Sequence, residues 1–296
     1  MKFVLLALLG VMAVIFAFVF SRDIVKRRRS FSKASWLPLT GIGFVTNFFD
    51  TLGIGSFAPT TSFYKLTNMV EDRVIPGTLN VGHCLPVVVQ ALIFITLVEV
   101  APLTLMSMIL AAGLGAIIGA DVVCRLPVNK IRIGLGVALI VVALAMLAGL
   151  LNVMPSGGDA FALTGWKFII AAIVIFALGA LQTLGIGLYA PCMALVYALG
   201  MNPRAAYPIM MGSCALLMPL ASLRFIRKAS YDPKAAVGLT SLGIIGVLIA
   251  AYIVKSLPLN VLKGVVVTVI LYTSVMMFRS VKKKGTAEIP ADASQT

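Results

Sequence analysis

Asp50 to Pro59 reads DTLGIGSFAP, and 132 positions later Gln182 to Pro191 reads QTLGIGLYAP. Thr, Leu, Gly, Ile, Gly, Ala and Pro recur in register, Phe57 stands against Tyr189, and at the same offset Pro76 falls on Pro208. Glycine interrupts a helix through its backbone freedom, and proline through its missing N–H. A break of this kind, copied within apolar sequence, points to a duplicated membrane protein. Gly/Pro-interrupted segments in matching halves of a chain mark the binding site of a secondary transporter.

The composition around the motif agrees. Of 296 residues, 60% are hydrophobic and 11% charged, with a mean hydropathy of +1.07, whereas a soluble domain carries roughly a quarter charged residues. The net charge of +14 would suit a nucleic-acid partner if it lined one polar face. Instead the basic residues form short clusters between apolar runs, the pattern of loops held on the inner side of a membrane. Cys84, Cys124, Cys192 and Cys214 make no CxxC pair, so neither a disulfide framework nor a metal site is expected. HExxH, GxSxG and an ATP-binding motif are all absent, and no enzyme activity or cofactor is expected. Residues 2–20 resemble a signal peptide, but the basic cluster Lys26, Arg27, Arg28 and Arg29 follows the apolar run rather than preceding it. The segment is read as an uncleaved first helix.

One bilayer crossing needs roughly 20 apolar residues. Seven stretches meet this: Lys2 to Phe20, Pro76 to Leu97, Ala101 to Asp121, Ile131 to Leu151, Arg204 to Ile226, Ala235 to Val254 and Asn260 to Phe278. Pro38 to Leu66 and Lys167 to Leu199 are too long, at about 43 and about 50 Å as unbroken helices against a core of about 30 Å. Each carries GIGxxAP near its middle. As kinked crossings they would move Lys65, Arg73, Arg125, Lys130 and Arg132 to the outer side. As re-entrant hairpins they leave outside only Lys2, Lys167, Arg204, Lys255 and Lys263 of the 24 basic residues. The positive-inside rule selects the hairpins. Three crossings then separate the two copies, so the second is inverted relative to the first.

The expected fold is an all-α polytopic membrane protein with two inverted repeats, each a broken helical hairpin plus three transmembrane helices. Residues 1–37 hold an extra helix and a basic cytoplasmic loop, 38–151 the first repeat and 152–166 an external linker. Residues 167–279 hold the second repeat, and 280–296 a polar cytoplasmic tail.

Hairpins entering from opposite faces bring their tips together near the midplane, where irregular backbone is tolerated only around a cavity. Gly53, Gly55, Gly185 and Gly187 would adopt positive φ there and let a ligand approach bare N–H groups. Helix starts near Pro59 and Pro191 would favour an anion. Asn47, Thr51, Ser56, Thr60, Thr61, Gln182, Thr183 and Tyr189 supply hydrogen bonds, with helix packing the alternative for any single one. Asp50 is an acid inside a membrane segment and His83 the only histidine, a pair that would relay protons. The rival reading makes Asp50 an interface group or a partner of Asn47. Met210, Met211 and Met218 read as helix packing, with adaptable pocket lining the alternative.

The stretches GFVTNFFDTLGIGSFAPTTSFYKL and FALGALQTLGIGLYAPCMALVYALGMNPRAAYPIMMGSCALLMPLASLRF resemble the sulfite exporter TauE/SafE family, grouped with toluene-sulfonate uptake permeases. The resemblance covers roughly residues 38–280. It departs from that family's GxGGG, with GIGSF and GIGLY in its place. It implies transport of sulfite, a sulfonate or a related small anion across the bacterial inner membrane, with the bilayer and a coupling proton as partners and nucleic acid as none. An anion channel, a non-transporting scaffold and an intramembrane enzyme built on Asp50, His83 or a cysteine are the alternatives.

Overall fold

In a computed structural model, the described residues are 2–32, 34–153 and 157–252, with 267–268, 271–272, 274–275, 278–279 and 281 beyond them. They are helical almost throughout: α1 (Lys2–Arg27), α2 (Trp36–Thr51), α3 (Phe57–Thr67), α4 (Ile75–Leu97), α5 (Pro102–Val123), α6 (Val128–Leu150), α7 (Gly165–Gln182), α8 (Tyr189–Ala198), α9 (Ala206–Arg227) and α10 (Pro233–Tyr252). Seven are long and apolar enough to cross a membrane, namely α1, α4, α5, α6, α7, α9 with its leading turn, and α10. The chain is an all-α polytopic membrane protein. The expected span Asn260 to Phe278 falls largely outside the described residues, and the tail 280–296 almost wholly. From that region, Ser274 donates to the Gly136 carbonyl on α6 at 2.8 Å. In addition, α7 is long enough to count as a span by itself, although the sequence reading treats it as one arm of a broken segment.

Both copied motifs break their helices where expected, between Thr51 and Phe57 and between Gln182 and Tyr189. Around them α4 and α9 form the centre, with 78% and 83% of their spans enclosed, against 22% for α1 and α7. The outer helices turn Val11, Val14, Phe18, Leu144, Ile169 and Ile173 outward, the side chains a lipid solvent requires.

The packing registers give each helix a direction. Gly43 meets Leu239, Asn47 meets Gly243 and Phe48 meets Gly246, so α2 and α10 run together. Asn47 bonds His83 and Asp50 bonds Gln90, so α4 runs with them. On the other side Gly115 meets Phe176, Gly119 meets Ala180, Ile109 meets Gly212 and Gly113 meets Leu216, which aligns α5, α7 and α9. Between the groups Gly77 meets Phe225 while Ile95 meets Gly212, so α4 and α9 are antiparallel. The pairs also match one another: α2 packs on α10 as α7 packs on α5, and α4 packs on α10 as α9 packs on α5.

Two ends result. At one, Asp72 accepts from Lys65 and Arg132, each at 2.7 Å. There too Arg224 pairs with Asp121 and Tyr231 bonds Asp23, while Lys234 lies over Trp36 and bonds the Ser32 carbonyl. At the other, Lys2 donates to the Thr96 carbonyl, Ala101 N–H to Phe161 and Lys167 to the Leu199 carbonyl. The described basic loops therefore share the first end.

Polar groups inside the bundle close gaps that helix breakers open. Pro86 cannot donate to the Gly82 carbonyl one turn back, and Thr240 on α10 donates to it instead at 2.8 Å. Small residues let the backbones touch. A Cβ at Gly115 would lie 2.0 Å from the Phe176 carbonyl oxygen, whereas one at Gly41 would meet nothing within 4 Å. Gly115→Ala should therefore cost about 1–3 kcal/mol by overpacking, while Gly41→Ala keeps or slightly raises stability. Thermal unfolding of the two purified variants checks the difference.

Candidate functional site

The two breaks meet. A pocket between them is lined by Asp50, Ile54, Gly55, Ser56, Phe57 and Ala58 from the first and by Gln182, Gly187, Leu188, Tyr189 and Ala190 from the second. Val87 of α4 and Cys214 and Met218 of α9 complete it. The starts of α3 and α8 both open onto this space, and the first-turn N–H groups of a helix have no acceptor within it. Pro59 and Pro191 are the third residues of those helices, where a missing N–H costs nothing. The pocket leaves about 20 Å³ for the centre of a water-sized sphere, room for roughly one ordered water. Among the described residues, no lysine, arginine or histidine lines it.

Asp50 is buried, and its carboxylate accepts from Gln90 Nε2 at 2.9 Å. Ser56 and Tyr189 stand with it in the pocket lining. Gln90 Nε2 reaches Thr51 Oγ1 at 3.0 Å as well, and Gln90 Oε1 accepts from the Tyr189 hydroxyl at 2.7 Å. One amide on α4 thus ties Asp50, at the end of α2, to Tyr189, at the start of α8. In the second copy Gln182 replaces Asp50, and its Oε1 accepts from Cys214 Sγ at 3.3 Å.

His83 stands apart from this chain. Asn47 Nδ2 donates to the Gly43 and Leu239 carbonyls at 2.7 and 3.4 Å, which leaves Asn47 Oδ1 to accept from His83 Nδ1 at 2.9 Å. The other ring nitrogen then accepts from Thr60 Oγ1 at 3.0 Å. Both nitrogens are engaged, and neither touches Asp50.

Of the residues singled out in the sequence, Asp50, Gly55, Ser56, Gln182, Gly187 and Tyr189 reach the pocket. Asn47, Thr51, Thr60 and Thr183 do not line it. Thr51 donates to the Asn47 carbonyl and Thr183 to that of Ala180, the packing alternative. Gly53 lies against Tyr207, and Gly185 against Leu135. Asp50 is buried in the bundle and is bonded by Gln90 rather than by Asn47. Gln90, Cys214 and Val87 were missed, while Met218 lines the pocket. Gln90 carried a signal: it is the one polar side chain in VVVQALIFI, Val87 to Ile95, and a polar group in a membrane helix needs a partner.

The expectation of four positive-φ glycines needs correction. Gly53, Gly55 and Gly185 have φ of 87°, 89° and 112°, but Gly187 does not lie in that region. There the glycine keeps space open, since a Cβ would come no closer than 4.0 Å to Phe57 Cβ.

Comparison with known proteins finds no matching family model, no matching curated protein and no matching solved structure.

The two tip glycines should separate strain from space. Gly55→Ala forces a left-handed residue and should lose about 1–2 kcal/mol of stability. Gly187→Ala should fold as stably as the parent yet put a methyl group into a space sized for one water, and so lose anion-induced thermal stabilisation. Melting curves with and without methanesulfonate measure both.

Proposed function

We propose that the chain is a secondary transporter that moves a small anion across the bacterial inner membrane by alternating access, coupled to protons through Asp50. The observation that carries this is one small pocket, with Asp50, Gln182 and Tyr189 in its lining, shared by two broken helices. The helix directions support reading both broken segments as re-entrant. Since α2 and α4 run together, the intervening α3 returns the chain to its starting end, and α7, α8 and α9 repeat this from the opposite end. The matched pairings, α2 with α10 and α7 with α5, support an inverted repeat about the α4–α9 contact. By the positive-inside rule the basic end and the tail are cytoplasmic. The likeness of the copied motif to the sulfite exporter TauE/SafE family supports sulfite, a sulfonate or a related oxyanion as cargo.

The chemistry of the pocket supports proton coupling. Two helix starts favour an anion, but an ionised Asp50 among the same lining groups repels one. Anion and proton therefore favour each other's binding, and this linkage is reciprocal. The tight pocket also fits a gated carrier better than an open pore. A cavity with room for about one water is too small for the cargo until the hairpins part.

Uptake into proteoliposomes of sulfite, thiosulfate, sulfoacetate, taurine and acetate tests the reading. Saturable accumulation driven by an inward proton gradient is expected for at least one anion of this panel. Asp50→Asn should abolish that accumulation while exchange of substrate between the two sides continues. Flux that never saturates would make the protein a channel, and no flux of any anion would leave a scaffold.

A further inference from the structure

The Asp50 carboxylate accepts a hydrogen bond from Gln90 Nε2 at 2.9 Å, through Oδ2. An ionised carboxylate offers only acceptors, so it can take this bond. Once protonated on Oδ2, it carries a donor of its own toward the Gln90 amide. Gln90 can answer this, because turning its amide over exchanges a donor for an acceptor, with the Thr51 hydroxyl turning from the Asn47 carbonyl to Oε1.

The orientation of Gln90 is thus set by the charge on Asp50, and Tyr189 responds to that orientation. With Nε2 toward Asp50, Oε1 holds the Tyr189 hydroxyl proton at 2.7 Å. With the amide turned, Oε1 takes the Asp50 proton and Nε2 faces the Tyr189 oxygen. The tyrosine hydrogen must then point elsewhere, and Tyr189 lines the pocket.

The geometry points to Gln90 as a positioning residue, a two-position amide switch that turns protonation of Asp50 into a free Tyr189 hydroxyl donor for an anion in the pocket. This rests on the transport reading for its anion but not for its switch. Among the described residues, the titratable groups around Asp50 are Tyr189 on α8, with Cys192 beside it, and Cys214 on α9. On α4, His83 is held by Asn47 and Thr60. From α3 and α7 the polar neighbours are Ser56 and Gln182, neither ionisable, and Lys234 of α10 lies at the basic end over Trp36. Asp50 is the acid that sets the switch.

Infrared difference spectra of the protein in lipid, taken without anion between about pH 8 and about pH 5, test the switch directly. Acidification of the parent should raise a carboxylic C=O band that is absent in Asp50→Asn. It should also shift an amide C=O band absent in Gln90→Met and a tyrosine C–O band absent in Tyr189→Phe. In Gln90→Met the carboxylic band should remain while the tyrosine shift disappears. A full tyrosine shift in Gln90→Met, or a parent carboxylic band with no tyrosine change, overturns the switch. Uptake of methanesulfonate, a monoanion throughout this range, adds a second readout. A pH dependence of about tenfold in the parent should fall below about twofold in Gln90→Met, and equal dependence in both contradicts the switch. No uptake by the parent at any pH of either methanesulfonate or the anions of the earlier panel overturns the transport reading instead, and the spectra still decide the switch.

Discussion

A helix that ends inside an apolar bundle leaves backbone N–H and C=O groups without partners, and in a lipid core no water makes good the loss. Two such breaks in one chain are a severe constraint, and the arrangement around them follows from it. Each break lies beside the other rather than against lipid, so the unpaired groups share one cavity. α4 and α9, the most enclosed helices, wall that cavity, and they supply the side chains that reach across it. The Asp50, Gln90 and Tyr189 chain joins the two breaks, and Gln182 with Cys214 stands on the second side. The same logic governs single carbonyls, as where Thr240 takes up the Gly82 oxygen freed by Pro86.

Much of this was legible in the sequence because helix breakers and charges act locally. The repeated GIGxxAP placed both breaks correctly, and the basic clusters identified the loops that gather at one end. Six of the seven expected spans coincide with long apolar helices. Asp50 stood out because an acid is costly in an apolar segment, and it does lie in the pocket. The division of labour among the hydroxyls and amides was not legible. Thr51, Thr60 and Thr183 carry the same chemistry as Ser56, yet which of them faces a cavity depends on helix rotation, set by contacts with α4 and α9. His83 and Asp50 looked like partners from their rarity. Asn47, one turn before Asp50 on α2, holds the histidine instead, and Gln90, seven residues past His83 on α4, holds the acid.

The small size of the pocket shapes how it can work. Its tight lining is held by directional bonds between the two breaks, so opening must break the Tyr189 to Gln90 contact or carry α4 with one hairpin. A small charge change at Asp50 can then bias a large rearrangement, because the hydrogen-bonded chain has two discrete arrangements rather than a continuum. The glycines divide accordingly: Gly53, Gly55 and Gly185 shape the turns, and Gly187 preserves the room.

The central claim is that the two breaks touch each other tip to tip inside the membrane. A Cβ at position 187 would lie 4.0 Å from that of Phe57, within the range of about 3.5–4.5 Å that a disulfide spans. The direct measurement is oxidation of a Phe57→Cys/Gly187→Cys variant in native membranes, followed by mass spectrometry of the linked peptides. A link between 57 and 187 formed in high yield within one chain is the predicted result. Folded protein in which both cysteines stay free, or pair only with other positions, would contradict it.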